Sequence, residues 1–287
     1  MNSVRSQGAI LLCFCFIPNF LMYNPMHARD LHFVDSLTEI VNSETNIQEM
    51  REGLLEGDVF VIRGVESKER LDAYRSYLEG VGRGSLPNYR AIEPNVPNFH
   101  RMDRWDPRAH VQSCFHSFSF FPWNQDVFNL FESYKEVYHL KNAVSDLPQD
   151  SFLGNEPDMG CTARIGFHYY PKGTGGLNRH QDPFDYHQIT VPIMIMSEKG
   201  VDFQEGGAYV EDASGEKILL DDICQPGDVI YFNAECFHGV DMIDPDETED
   251  WLSFEGRWIL LFAVNKIAGN EAIKDSKDLE TEEVPVS

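Results

Sequence analysis

The second half of this 287-residue chain consists of short β-rich segments separated by turn residues. Six segments follow one another: residues 162–170 (TARIGFHYY), 187–196 (HQITVPIMIM), 206–212 (GGAYVED), 216–222 (EKILLDD), 227–233 (GDVIYFN) and 256–265 (GRWILLFAVN). Gly, Pro, Asp and Ser residues separate them at intervals that are typical of a sandwich or barrel of antiparallel strands. The pattern predicts an α+β chain, mainly β, with a jelly-roll core over residues 161–267.

The first half carries helical patterns instead. Leu71, Tyr74 and Leu78 recur at helical spacing, and residues 126–144 show a second such pattern. Residues 85–123 are irregular and rich in Pro, Asn, Arg and aromatic residues, as is typical of a lid or binding loop. We therefore predict that residues 31–160 form helices and a substrate loop packed on the core. The charged residues 268–287 are predicted to be an acidic disordered tail.

The first 30 residues have the proportions of a targeting segment. Arg5 precedes an apolar run at residues 9–23, and Ala28 is a small residue at a candidate cleavage point. The apolar run is short and is interrupted by Pro, so no stable membrane span is expected in the mature protein. The sequence predicts secretory or organelle targeting by residues 1–28, with a cytoplasmic protein as the alternative.

Charge and cysteine content narrow the range of partners. The chain has 23 Lys and Arg against 47 Asp and Glu, a net charge of −24, so its surface repels phosphate backbones and no nucleic-acid partner is expected. Its six cysteines include no CxxC pair, which favours buried free thiols over a disulfide framework. The expected ligand is a small molecule, and a monomer is the default oligomeric state.

Residues 169–187 (YYPKGTGGLNRHQDPFDYH) are hard to explain by packing alone. His180 and Asp182 lie two positions apart, and in a strand such residues point to the same face, so an imidazole and a carboxylate emerge side by side. His238, which follows the predicted strand 227–233, is the expected third ligand. Two His and one carboxylate with open positions suit non-haem Fe(II), although zinc accepts the same ligands. The other candidates for the third position are His110, His116, His168 and His187.

Between residues 164 and 265 the chain resembles the double-stranded β-helix core of the Fe(II)/2-oxoglutarate-dependent oxygenases, the prolyl-hydroxylase type above all. The segments that carry the resemblance are 170–182 (YPKGTGGLNRHQD), 206–207 (GG), 226–232 (PGDVIYF), 237–240 (FHGV) and 256–265 (GRWILLFAVN). The resemblance implies that His180, Asp182 and His238 bind the iron and act in catalysis. It also implies cofactor-binding roles, with Arg257 on the distal carboxylate of 2-oxoglutarate and Tyr170 and Thr190 in support.

A guanidinium fork also matches a carboxylate on chemical grounds, because it donates two parallel hydrogen bonds and keeps its charge. Arg257 follows His238 at a longer spacing than is usual in the family, and Lys266 is the alternative basic residue. The implied activity is oxidation of an unactivated C–H bond with O2, as hydroxylation, desaturation or oxidative cyclisation, with release of succinate and CO2. Ascorbate is a candidate reductant. The intact Asp182 argues against halogenation.

The substrate is less constrained by the sequence. Basic residues cluster in an otherwise acidic chain and are candidate contacts for a small carboxylate-bearing metabolite of specialised metabolism: Arg101, Arg104, Arg108, His110 and Arg164. The alternative is that those of the irregular segment form surface ion pairs with Asp103 and Asp106. Three other functions stay open: a peptidyl hydroxylase, a cupin-like metal enzyme that does not use 2-oxoglutarate, and a non-catalytic jelly-roll module.

Overall fold

The computed structural model describes residues 27–84, 91–96, 98–104 and 106–280. The strands in these ranges are β1 (Leu31–Val34), β2 (Val59–Ile62), β3 (Asn98–Met102), β4 (Ser113–Phe120), β5 (Cys161–Pro171), β6 (Gly176–Gln181), β7 (Ile193–Ile195), β8 (Gly207–Glu211), β9 (Lys217–Leu219), β10 (Val229–Tyr231), β11 (His238–Asp241), β12 (Gly256–Lys266) and β13 (Lys277–Asp278). The helices are α1 (Leu37–Val41), α2 (Glu44–Glu56), α3 (Lys68–Gly84), α4 (Leu130–Ser133), α5 (Lys135–Val144) and α6 (Leu220–Ile223). The predicted targeting segment falls almost wholly outside the described residues.

Strands β5 to β12 form two facing antiparallel layers. The first layer has the order β10-β7-β12-β5, and the second has the order β6-β11-β8-β9. Most consecutive strands alternate between the two layers, as in a double-stranded β-helix. β1 and β2 extend the first layer beyond β10, while β4 pairs with both β5 and β6 and so links the layers. The predicted jelly-roll core is confirmed.

The two long central strands separate a helix-facing side from a side that faces the second layer. Successive side chains of a strand point to opposite faces. In β12, Trp258, Leu260 and Phe262 belong to the large core under the helices, and in β5 Ile165 and Phe167 do so. The alternate residues of both strands face the interior between the layers, where a cavity lies.

The helices cover the outer face of the first layer. α2 begins after Ser43, whose hydroxyl accepts a hydrogen bond from the Asn46 N–H at 3.2 Å, and it ends at Gly57, which has a φ of 97°. The predicted stripe of Leu71, Tyr74 and Leu78 lies on α3 and is fully buried. These contacts bury the apolar helix faces and leave the inner face of the layer for ligands.

In two places the structure differs from the sequence prediction. Residues 85–123 were predicted to be irregular but contain β3 and β4. β4 pairs with β5 and β3 pairs with β4, which satisfies the backbone of a segment that lacks a clear β pattern. The predicted disordered tail is ordered over residues 268–280: Ile273 is buried and β13 pairs with β6. Residues 281–287 lie outside the described residues.

The cysteine prediction is confirmed for the part of the chain that the structure describes. Cys114, Cys161, Cys224 and Cys236 are buried free thiols. Within the same part of the chain, no helix combines the length and the apolar character that crossing a membrane requires.

Candidate functional site

Three predicted metal ligands meet at the edge where β6 and β11 pair. His180 on β6 lies directly opposite His238 on β11, and their ring centroids are 4.0 Å apart. Asp182 follows β6, and its carboxylate oxygens lie 3.7 Å from His180 Nε2 and 3.5 Å from His238 Nε2. The three ligand atoms all lie within 4.8 Å of one another. Among the described residues this is the only group of His, Cys, Asp and Glu side chains so arranged.

Both imidazoles are held in the tautomer that a metal requires. Nδ1 of His180 donates to the Asn178 carbonyl at 2.8 Å, and Nδ1 of His238 donates to the Cys236 carbonyl at 2.8 Å. Because a carbonyl can only accept, Nδ1 carries the proton and the Nε2 lone pair faces the partner ligands. Burial, together with the nearby His238, lowers the pKa of His180 to about 4, so this ring is neutral at neutral pH.

The carboxylate ligand is ionised and oriented. Burial alone would raise the pKa of Asp182, but the adjacent His238, His180 and Ser276 side chains together outweigh that effect and hold the pKa below its ordinary value. Ser276 donates a hydrogen bond to Asp182 Oδ1 at 2.8 Å. Two imidazoles and one carboxylate suit a divalent ion and leave further coordination positions open. The residues present therefore fit Fe(II), and they also fit zinc.

A cavity of about 450 Å³ opens beside the three ligands, between the two layers of the core. Its lining includes the inner-facing residues of β5 and β12, the start of β11 and the ordered tail at residues 267–276. This volume lies within the range that is usual for small-molecule sites, roughly 300–1,000 Å³.

Arg257 lies at one end of this cavity and is completely buried. Its Nε donates to both carboxylate oxygens of Asp221, at 3.0 and 2.9 Å. Its Nη1 and Nη2 have no hydrogen-bond partner among the described residues. Buried polar groups in folded proteins are nearly always hydrogen-bonded, and a guanidinium edge with two free donors fits a carboxylate. We infer that these two groups bind an anionic ligand.

Tyr170 accompanies Arg257 at the same end. The two residues are register partners in β5 and β12, and the guanidinium carbon lies 5.6 Å from the centre of the phenol ring. Burial raises the pKa of Tyr170 to about 12, although the Arg257 charge acts in the opposite direction, so the hydroxyl keeps its proton at neutral pH. The phenol can therefore donate a hydrogen bond to an anion in the cavity.

Comparison with known proteins finds no matching family model and no matching curated protein. Among solved structures, a prolyl-4-hydroxylase from Pseudomonas putida is 13% identical and has a TM-score of 0.48, with 77% of this chain and 98% of that chain covered. A full-length Neurospora crassa protein, solved in complex with alpha-KG and thymine, is 13% identical with a TM-score of 0.49 over 83% of this chain and 85% of that chain. A dioxygenase for auxin oxidation in rice is 14% identical with a TM-score of 0.45 over 83% of each chain. The function proposed below rests on the residues of this chain.

Only some of the other predicted site residues line the cavity. Arg164, Arg108 and His110 line the cavity, and so does Lys266. Arg108 is held by Asp106, to which its Nε donates at 2.8 Å. His110 Nε2 lies 3.7 Å from Asp275 in the tail, a contact that is an ion pair only when the imidazole is protonated.

Three predicted contacts lie outside the cavity. Thr190 is fully buried, forms an isolated antiparallel β-bridge with Asn233 and is not part of the cavity lining. Arg101 pairs with Asp103 at 2.9 Å, as the surface alternative predicted, and Arg104 lines a separate cavity of about 220 Å³. Arg101 lies between His100 and Met102 on β3, and because those two line the cavity, strand alternation places Arg101 on the other face.

Several residues of the site were missed in the sequence. Asp221 and Ser276 carried no signal, because each acts through a partner that is distant in the chain, Arg257 and Asp182 respectively. Ser276 lies in a segment whose composition predicted disorder. His168 was considered as a metal ligand and instead lines the cavity floor. The alternation of β5 could have indicated its side, since it shares a face with Tyr170.

We expect Ser276→Ala to weaken metal binding about tenfold, because partners that orient a ligating carboxylate typically contribute that much or more. Isothermal titration calorimetry of the apo protein with zinc measures the affinity directly. The matched control is Ser214→Ala, which removes a similar bond from the Ser214 hydroxyl to Asp212 at 2.6 Å on an exposed turn. Equal zinc affinities in both variants and the wild type would show that Ser276 does not position Asp182.

Proposed function

We propose that this chain is an Fe(II)- and 2-oxoglutarate-dependent oxygenase that oxidises an unactivated C–H bond of a small carboxylate-bearing metabolite. The observation that carries the proposal is the buried guanidinium of Arg257, with two unpartnered Nη groups, in the same cavity as the His180, Asp182 and His238 ligands. A metal site alone would fit many reactions. A metal site beside a buried carboxylate receptor fits a metal that works with a 2-oxo acid.

The residues divide the work as follows. His180, Asp182 and His238 would hold the iron, and Arg257 with Tyr170 would hold the distal carboxylate of 2-oxoglutarate. When bound, iron supplies the activation of O2, by which 2-oxoglutarate becomes succinate and CO2 while the second oxygen atom oxidises the substrate. In hydroxylation the balance is R–H + 2-oxoglutarate + O2 giving R–OH + succinate + CO2. The chain itself binds, orients and excludes water from these reactants.

Asp221 has a defined part in this arrangement. A buried arginine without a counter-ion would cost several kcal/mol, roughly the penalty of an unpaired buried charge. Asp221 neutralises Arg257 through Nε alone and also accepts a hydrogen bond from the Ala208 N–H at 2.6 Å. This geometry holds the guanidinium in place and leaves its Nη edge for the co-substrate.

The size and the lining of the cavity support a small anionic substrate. The cavity of about 450 Å³ must hold both 2-oxoglutarate and the substrate, which argues for a metabolite rather than a long peptide. Its lining includes Arg257 and Arg164 although the chain as a whole carries a net charge of −24. Guanidinium groups on the wall of a cavity attract a small anion.

Anaerobic titration with Fe(II) and 2-oxoglutarate tests the proposal. We expect a weak visible charge-transfer band, characteristic of a 2-oxo acid chelated to iron, that saturates at one equivalent of each. Arg101→Ala is a suitable control, because Arg101 lies outside the cavity and the band should be unchanged. Tight zinc binding without any such band would contradict the proposal and favour a metal enzyme that does not use 2-oxoglutarate.

A further inference from the structure

A polar stripe crosses the floor of the cavity along β5. Tyr170, His168, Gly166 and Arg164 alternate along the strand and so face the same side. Neighbours on one face are roughly 6.7 Å apart, which places the Cα of Arg164 roughly 20 Å from that of Tyr170. The stripe therefore extends well beyond the end of the cavity where Arg257 and Tyr170 lie.

Gly166 leaves the middle of this stripe without a side chain. A Cβ atom built on Gly166 would lie 3.4 Å from Arg164 Nε and 3.5 Å from His168 Nε2. Two nitrogen atoms from the flanking residues therefore converge over a position that has no side chain. The backbone of Gly166 does not have a positive φ, so its conformation does not require glycine. What glycine provides at this position is room.

His168 is a buried polar residue whose Nε2 atom makes no hydrogen bond within the described part of the fold. Its ring stacks on Phe115 with centroids 4.6 Å apart and an interplanar angle of 14°, which fixes the plane of the imidazole. Nε2 has no hydrogen-bond partner among the described residues, and the residue is only 8% exposed. Such an atom in a native structure calls for a ligand or a bound solvent molecule.

The charge of this part of the cavity is set by Arg164. Burial, and then the nearby charges of Arg164, His100 and Arg257, lower the pKa of His168 well below its ordinary value, so the imidazole is neutral at neutral pH. A neutral imidazole can still donate one N–H. Arg108, which also lines the cavity, donates to Asp106, and Lys266 Nζ lies 2.9 Å from Asp275.

We propose that Arg164 and His168 form a carboxylate-binding subsite over Gly166 that holds the substrate at the end of the cavity opposite Arg257. One guanidinium and one neutral imidazole match the single charge and the two oxygens of a carboxylate, whereas a phosphate dianion would carry excess charge. The subsite rests on the proposed function for the role of its ligand as substrate. A substrate bound there by one end extends along the floor beneath the metal ligands of the facing layer.

A pair of probes that differ only in charge tests the subsite. Hexanoate and hexanamide are titrated by ligand-observed NMR into zinc-loaded protein with saturating 2-oxoglutarate, which occupies Arg257. We expect hexanoate to bind about tenfold more tightly or better, as charge-assisted hydrogen bonds allow. Gly166→Ala should abolish this preference, because the added methyl group fills the space while both nitrogen donors remain. Arg164→Gln should abolish it by removing the charge.

The controls separate the subsite from general electrostatics and from folding. Arg108→Gln removes a cation from the same cavity lining and should leave the preference for hexanoate intact. Thermal unfolding midpoints equal to that of the wild type show that each variant is folded, and Arg164→Lys should retain part of the preference. The subsite is refuted if the wild type binds hexanoate no more tightly than hexanamide. It is also refuted if both Gly166→Ala and Arg164→Gln keep the preference for hexanoate.

The iron and 2-oxoglutarate titration, run in parallel, distinguishes this inference from the proposed function. A charge-transfer band without any preference for hexanoate would refute the subsite alone. A preference that depends on Gly166 without any band would support an anion site and refute the oxygenase. In that case Arg257→Ala shows whether the probe had bound at Arg257 instead.

Discussion

Replacement of Arg257 by Ala is expected to weaken 2-oxoglutarate binding by roughly thirtyfold or more, because losing one partner of a buried, hydrogen-bonded charge pair costs about 2–5 kcal/mol. Arg257 is fully buried and directs two unpartnered Nη groups into the cavity. Titrating 2-oxoglutarate against the charge-transfer band of the iron-loaded protein measures the loss. Zinc affinity should be unchanged, since Arg257 is not a metal ligand.

This variant also leaves Asp221 as an unpaired buried charge, which by itself costs about 3–5 kcal/mol of stability. Asp221 is almost fully buried, with a side-chain exposure of 2%. The double variant Arg257→Met with Asp221→Asn removes both charges and preserves the acceptor for the Ala208 N–H. We expect it to be more stable than Arg257→Ala and still unable to bind 2-oxoglutarate. Wild-type affinity for 2-oxoglutarate in a folded double variant would contradict the assigned role of Arg257.

His180→Ala is expected to reduce metal affinity by more than about a hundredfold, since losing a direct ligand costs more than losing the partner that orients one. His180 lies opposite His238 across the β6–β11 pair, so no other imidazole among the described residues can take its place. Zinc titration of the apo protein measures the affinity, and the charge-transfer band should be lost in parallel.

His187→Ala provides the contrast for this experiment. His187 lines the same cavity and is buried, but it is not one of the three ligands that lie within reach of one another. We expect its zinc affinity to match that of the wild type. A similar loss of zinc binding in both variants would mean that the ligand set is misassigned.

His180→Ala and the double variant Arg257→Met with Asp221→Asn also separate the remaining functional alternatives. A metal enzyme that does not use 2-oxoglutarate would lose activity when His180 is replaced by Ala. It would keep its activity when Arg257 and Asp221 are replaced together. A non-catalytic jelly-roll module would bind no stoichiometric metal, and His180→Ala would then alter only its stability. A peptidyl hydroxylase would respond to both variants as proposed here, and its substrate would be independent of Arg164 and Gly166.

Local sequence patterns were sufficient for the core strands and for the candidate metal ligands. β5, β10 and β12 are long or strongly β-branched runs between turn residues, and such patterns act within a few residues. His180 and Asp182 could be paired from the chain alone, because strand alternation places residues i and i+2 on one side. The helix at Leu71, Tyr74 and Leu78 was predictable for the same reason, since its spacing repeats within a few turns.

The sequence by itself thus determined the jelly roll and three candidate metal ligands, and its resemblance to a known family added Arg257 as a candidate for binding the co-substrate. Only the tertiary structure decided that β3 and β4 are strands, that residues 268–280 are ordered, and which predicted cations reach the cavity. Ser276 contacts Asp182 across 94 positions of the chain, and Arg257 meets Asp221 across 36. Contacts of this kind depend on the packing of distant segments, and no local pattern of residues records them.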